Sequence, residues 1–449
     1  MSKKPQKAIP SVGREKTKRL LSAPRGIQDI LPPEVFYFEK LENIISDLAA
    51  FYNYERIELS LLESKALFER SLGLEGGTAN KQLYVCQTKS RDKLVLRPEA
   101  TTGSARAYIQ NSMFNWPQPV KLWYWGPMFY QGDFSTGKHQ QFWQAGFEYF
   151  GSDNPIVEAE LIQLGLKISK KFGLKNSYVE INSIGCSGCR RIYRRALKQH
   201  YRYKLKRVCS DCRNRYKKNA LQLLNCENKL CFESKTQAPE SLDYLCKSCN
   251  LHFKKVLDHL DSLAIPYLLN PRLVRGLDYY NRTVFEFRAD SQELGAKTVF
   301  EDKRDSIAFA GGGRYDYLVK QFGGPDTPGC GFALEVEKII SLINKDPNDG
   351  FVDVYLVQIG NLAKIKLLQL FEDFKKAKIK IGFDLGSDNL KPQLKSAARL
   401  GSRFALILGQ EEALHGEIII RDMKTGAQET VSLGKVINLV KKRLKKKSL

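Results

Sequence analysis

An α+β fold is predicted, an antiparallel sheet flanked by helices, with a cysteine-rich insertion and a smaller α/β domain at the C-terminal end. Three observations predict it. Strand-like segments come in pairs joined by polar loops, at 83–96 and at 120–151, as antiparallel neighbours do. The composition changes at residues 185–255, which concentrate cysteine and basic residues. Beyond an Asn-Lys-Asp-Pro-Asn-Asp-Gly linker, strand and helix patterns alternate in short units, which implies a small α/β layer.

A length of 449 residues suits two to four domains, and a 43% hydrophobic content is ample for their cores. No apolar run is long enough to span a bilayer, so no membrane partner is expected. The 72 Lys and Arg outnumber 49 Asp and Glu, for a net charge of +23. Such a balance favours a polyanion as partner, nucleic acid ahead of a membrane surface. Residues 1–22 are basic and lack the apolar core of a secretory signal, so a disordered tail is expected. With no export signal, the ten cysteines imply a cytoplasmic location and either reduced thiols or metal sites.

Taken in order, Ser22-Ala23-Pro24-Arg25-Gly26 breaks the tail and Leu31-Pro32-Pro33-Glu34 opens a helix. Phe36, Phe38, Leu41, Ile44, Leu48 and Phe51 then recur at helical spacing, and residues 56–59 alternate like a strand. Residues 83–86 and 93–96 read as a hairpin. Pro98 ends its second strand, and 100–111 read as a helix. Glu99 sits at that junction, where a carboxylate either caps the helix start or points into a cleft. The aromatic strand at 120–125 returns through 141–151, where alternation puts Gln144, Gly146 and Glu148 on one face. Two polar groups flanking a small residue suit a hydrogen-bonding pocket. Residues 155–172 are helical, and the pattern that resumes at 265 ends near 342. After the linker at 343–350 come a strand at 352–357, a helix at 363–377, a strand at 378–384, a helix at 389–400, a strand at 404–408 and a hairpin at 417–431. The lysine cluster at 441–447 reads as a solvated tail adding non-specific RNA affinity.

Three segments carry more specific information. Leu94-Val95-Leu96-Arg97-Pro98-Glu99-Ala100-Thr101 comes first, Leu273-Val274-Arg275-Gly276-Leu277-Asp278-Tyr279-Tyr280 second, and Ala310-Gly311-Gly312-Gly313-Arg314-Tyr315-Asp316 third. Burying Arg275 and Asp278 in the apolar second segment is costly unless each finds a partner. In this order the three resemble the histidyl-tRNA synthetase family, whose signature is R-G-L-D-Y-Y, and the resemblance runs from about residue 23 to 431. Residues 390–398 and 421–426 resemble its anticodon-binding domain. The resemblance implies a class II synthetase catalytic domain at 23–342, containing a helical insertion at 185–255 that leans on the tRNA acceptor stem. It also implies an anticodon-binding domain at 351–449, a homodimer built on the first helix and strand, and L-histidine, ATP with Mg²⁺, and tRNA(His) as partners. Glu99 would hold the histidine α-ammonium, with Thr101 alongside, and Gln144 and Glu148 would serve ammonium and imidazole. Tyr279 and Tyr280 would line the imidazole pocket, Arg314 and Tyr315 would complete its wall, and Arg275 would be catalytic, lying against the carboxylate and the α-phosphate. Lys and Arg at 198–206 and 213–218 would supply phosphate contacts.

Eight cysteines fall in the insertion as Cys186/Cys189, Cys209/Cys212, Cys226/Cys231 and Cys246/Cys249, three C-x-x-C pairs and one C-x-x-x-x-C. Such pairs can grip a tetrahedral ion, so two structural Zn²⁺ sites or free thiols are expected, with the combination of pairs left open. Cys86 and Cys330 read as packing residues.

The sequence departs from the family at both phosphate-binding arginines. Phe129-Tyr130-Gln131-Gly132 stands where F-R-x-E is usual, so Tyr130 replaces an Arg. Gly331-Phe332-Ala333-Leu334-Glu335-Val336-Glu337-Lys338 stands where G-F-A-x-G-x-E-R is usual; Lys338 keeps the charge but not the fork, and Glu335 replaces a Gly. Two expectations follow. The chain is a histidine--tRNA ligase in which Lys138, His139 and Lys338 compensate at ATP, or a catalytically impaired paralogue that senses histidine or binds tRNA as a regulator.

Overall fold

The aromatic stretch Val120–Phe129 pairs with its return Gln141–Phe150 along its full length, from Val120 opposite Phe150 to Phe129 opposite Gln141. This pair lies within an eight-stranded sheet ordered Glu55–Arg56, Val120–Phe129, Gln141–Phe150, Gly329–Glu335, Ser306–Arg314, Asn281–Asp290, Ser177–Ser183, Tyr267–Leu269. The inner pairs are antiparallel and only the outermost pair at each edge is parallel. The computed structural model describes residues 21–71, 83–131, 140–174, 176–226, 228–290, 306–343 and 352–445. The predicted tail at 1–22 and the linker at 343–350 lie almost wholly outside them.

One face of the sheet is closed by an aromatic layer. Phe147, Phe285, Phe287 and Phe332 are buried and meet at ring separations of 5.3–5.7 Å. Each buried ring contributes about 1.5–3 kcal/mol relative to exposure. The helix Ile156–Phe172 packs here through Gly165, where a Cβ would lie 2.3 Å from the Phe287 ring. The first helix, Pro32–Phe51, buries Leu41, Ile45 and Leu48. The predicted strand at 56–59 shortens to Glu55–Arg56, because only its start finds a neighbour, in Leu122 and Trp123. The predicted hairpin forms as Val85–Gln87 and Lys93–Leu96, with Leu62–Ser64 as an unforeseen third strand.

The described chain divides into two compact units, residues 21–30 with 42–342, and residues 31–41 with those from 343 onward. In the second, a five-stranded sheet runs Ile381–Phe383, Val354–Gln358, Phe404–Leu408, Glu417–Asp422, Gln428–Ser432. Its two central apolar strands are buried end to end, as parallel strands covered on both faces must be. The lysine cluster corrects the sequence reading. It ends a helix, Leu433–Lys445, whose Val436 and Val440 enter the core, so the lysines to 445 extend an amphipathic helix rather than a loose tail. Among the described residues no helix is long and apolar enough to cross a membrane.

Candidate active site

Strand alternation builds the floor of the site. Gln144, Gly146 and Glu148 share one face of Gln141–Phe150, as expected, and Gly146 lies opposite Tyr124 on the neighbouring strand. A Cβ on Gly146 would sit 2.2 Å from the Tyr124 hydroxyl, so the missing side chain admits that hydroxyl between Gln144 (3.4 Å) and Glu148 (3.5 Å). Gly331 lies opposite Glu148 and leaves room for its carboxyl in the same way.

Glu148 is fully buried. The Thr101 hydroxyl donates to its Oε1 at 2.6 Å and the Tyr315 hydroxyl to its Oε2. Burial, reinforced by the nearby Glu99 charge, pushes its pKa up to about 8 in spite of these donors. Glu99 does both of the things its position allowed. Its carboxyl accepts from the amides of Thr101 (2.7 Å) and Thr102 (3.1 Å) at the start of the helix Thr101–Gln110, and it meets the Tyr279 hydroxyl at 3.5 Å. Burial raises its pKa as well.

Above this floor lies a cavity of about 110 Å³. Glu99, Thr101, Gln144, Arg275, Tyr279, Tyr280 and Lys338 all line it, although they come from four separate stretches of chain. Glu148 and Tyr315 lie beneath, behind Thr101. The Arg275 guanidinium donates to Glu286 at 2.8 Å, and its Nε is buried without a hydrogen-bond partner among the described residues. Gly311 lets it lie flat on the sheet, since a Cβ there would come within 2.4 Å of Nη1.

Arg314 is a correction. It neighbours Tyr315 in sequence, and consecutive strand residues face opposite ways. Tyr315 turns toward Glu148, so Arg314 turns to the other side of the sheet. There, fully buried, it donates from Nε to Glu158 (2.8 Å) and from Nη1 to the Ser152 carbonyl (2.9 Å) and to Asp316 (3.2 Å). Burial alone would raise the Glu158 carboxyl, but Arg314, helped by His252, holds it at about 2. Arg314 therefore anchors structure and does not wall the cavity. Lys138 and His139 lie outside the described residues. Sequence reasoning missed Glu286, which pairs with both Arg275 and Arg288 (2.6 Å) at the cavity edge. Its signal was two charged residues, Glu286 and Arg288, two apart in the otherwise apolar stretch 284–289.

Where the sequence places Glu335 and Lys338 in its third motif, both line the cavity and pair with each other at 2.8 Å. Tyr130 is half-buried; burial raises its pKa, while the positive charge of Arg215 in the insertion pulls it down.

The eight insertion cysteines gather in two groups, Cys186, Cys189, Cys246 and Cys249, and Cys209, Cys212, Cys226 and Cys231, each with all Sγ atoms within 4.8 Å of one another. The pairs nest: first with fourth, second with third. His252 belongs to neither group, being held by Glu158 at 2.7 Å.

The sequence model of the histidyl-tRNA synthetase family matches residues 26–339, and that of an anticodon binding domain matches 353–443. The chain belongs to the histidyl-tRNA synthetase family. Among its relatives, a histidine--tRNA ligase of Desulforamulus reducens is 37% identical over 94% of this chain and 100% of its own, and one of Bacillus subtilis is 38% identical over 93% and 98%. The crystal structure of an apo histidyl-tRNA synthetase from S. aureus superposes with a TM-score of 0.71 at 32% identity, covering 94% of this chain and 100% of that one. The class II fold expected from the three motifs is thus the fold of this synthetase-family chain, with an α/β anticodon-binding domain after it.

Proposed function

We propose that the chain is a histidine--tRNA ligase, which activates L-histidine with ATP and transfers the histidyl group to tRNA(His). The observation that carries this reading is one cavity faced by Glu99, Gln144, Tyr279, Tyr280 and Arg275 above a buried Glu148. Glu99 and Gln144 offer acceptors for an α-ammonium, and the tyrosines form an aromatic wall for an imidazole, with the Glu148 carboxyl beneath it and held through Thr101.

The chemistry needs no protein nucleophile. A histidine carboxylate oxygen attacks the α-phosphorus of ATP, a new P–O bond forms, and the bond to pyrophosphate breaks. A terminal ribose hydroxyl of the tRNA then attacks the activated carbonyl and AMP leaves. Catalysis is positioning plus neutralisation of phosphate charge. Arg275 lines the cavity with a planar guanidinium fork, which suits the carboxylate and the α-phosphate. Lys338, with Lys138, stands in for the usual arginines. The Mg²⁺ that accompanies ATP would be held by Glu286, a hard oxygen donor at the cavity edge, and would supply positive charge against the pyrophosphate. The same reading includes a homodimer, a cytoplasmic location and structural Zn²⁺ in the cysteine groups.

A second reading, a histidine sensor or tRNA-binding regulator, is favoured by Tyr130 and by the Glu335 carboxylate on the phosphate side. Histidine-dependent pyrophosphate exchange, run beside calorimetric titration of histidine alone, separates the two. Exchange supports the ligase. Binding without exchange supports the sensor, and the absence of both sinks the histidine assignment.

A further inference from the structure

We propose that the insertion binds two metal ions, each on four thiolates, and that these ions clamp the Arg275–Tyr280 segment over the cavity, so that the shape of the site depends on metal. This deepens the zinc reading above and rests on it for the identity of the ion.

The thiol geometry fits one ion per group. Four thiolates around a tetrahedral Zn²⁺ at about 2.3 Å leave sulfurs about 3.8 Å apart. The Sγ atoms of Cys186 and Cys189 are 3.6 Å apart, and those of Cys209 and Cys226 are 3.8 Å apart. Backbone amides already donate to the sulfurs, from Cys246 to Cys189 at 3.1 Å and from Cys209 to Cys231 at 3.2 Å. Cys186, Cys209 and Cys246 each occupy the N-cap of a helix, Ser187–Arg202, Ser210–Lys218 and Lys247–Ser262, where the amide dipoles favour a thiolate. The net negative charge of a tetrathiolate zinc site sits in a basic neighbourhood, with Arg190, Arg191, Arg194 and Arg195 following Cys189.

The link to the cavity runs through two side chains. Arg190, one residue after Cys189, donates from Nη1 to the carbonyls of Asp278 and Tyr280, both at 2.9 Å. Asn219, buried between the two halves of the inner group, donates to the Asp278 carboxylate at 3.1 Å. Asp278 is thus gripped by its backbone from one metal group and by its side chain from the other. Cys212 and Cys231 also share a hydrophobic cluster with Tyr279 and Tyr280. The segment itself is irregular, with no strand or helix to hold its shape. Its conformation comes from these contacts, and the contacts come from a cysteine-stapled fold.

The test uses the purified full-length chain, dialysed against Zn²⁺ and then freed of excess. Elemental analysis is expected to give two zinc per chain; one or none overturns the two-site proposal. Hydrogen exchange of the 273–282 peptide is then compared with and without metal. Faster exchange after chelation supports the clamp, and unchanged exchange overturns it. Because metal removal could loosen the whole insertion, Arg190→Gln is measured in the loaded state. It is expected to retain both ions while exchange at 273–282 quickens and histidine Kd rises about tenfold; unchanged exchange in this variant overturns the link. Metal content and exchange are read without histidine, so failure to bind histidine would sink the ligase reading and leave this one standing.

Discussion

Glu148 is where the site's electrostatics concentrate. Its folded pKa of about 8 exceeds the ordinary 4.5, so the folded chain keeps a proton that the unfolded chain releases. Between those values the unfolded state binds fewer protons, and stability falls as pH rises. The contribution is fully present below about pH 4.5 and lost by about pH 8. Glu148→Gln is expected to flatten the denaturant midpoint across this window, measured by urea unfolding at several pH values, and to weaken histidine binding by roughly 100-fold, since a site built for a polar ligand group penalises loss of its partner heavily. A variant whose midpoints keep the parent's pH slope would count against the shifted carboxyl. At the same scale, the placement of Arg314 follows from alternation that its neighbour Tyr315 already obeys, yet a reading by motif put both in one wall.

Between elements, the Glu158–Arg314–His252 group ties the helix Ile156–Phe172 to the sheet and to the helix Lys247–Ser262. Removing one member of a buried pair strands the other's charge, which typically costs about 3–5 kcal/mol. Arg314→Ala is therefore expected to lower the thermal midpoint sharply, as calorimetry would register, while Arg314→Lys recovers only part because it lacks the fork. With Glu158 held at about 2, its share of the stability is present above about pH 4.5 and fades toward pH 2. The phosphate side makes the opposite kind of prediction, a gain. Glu335 and Lys338 neutralise each other at the head of the helix Val336–Ser341. The double change Glu335→Gly with Lys338→Arg removes a carboxylate and restores a bidentate donor. The KM for ATP in pyrophosphate exchange is expected to fall about tenfold, and an unchanged value would mean that other cations do this work.

For the whole molecule, the +23 charge predicts how tRNA binding responds to salt. Neutralising six to ten phosphates releases their counterions, so affinity is expected to drop about 10³–10⁵-fold between 50 and 200 mM salt. Filter binding across that range measures the slope; a flat response would mean that the basic residues at 198–206 and 213–218 are solvated surface.

Much of this was legible in the amino-acid sequence. Period-two and helical patterning located the sheet pairs and the α/β strands, because burial on one face repeats at the geometric period of the element. The R-G-L-D-Y-Y segment, with its two flanking motifs, identified the family because several costly polar residues recur in a set order. What patterning could not supply was facing and pairing across distance. Only the folded chain decided that Arg314 leaves the cavity, that Glu286 joins Arg275, and that the cysteine pairs combine first with fourth and second with third. The linear order records which residues are neighbours along the backbone. Ion pairs, carboxyl pKa shifts and thiolate cages depend on distances of about 3–5 Å between residues up to a hundred and more positions apart, and those arise only when separate elements pack.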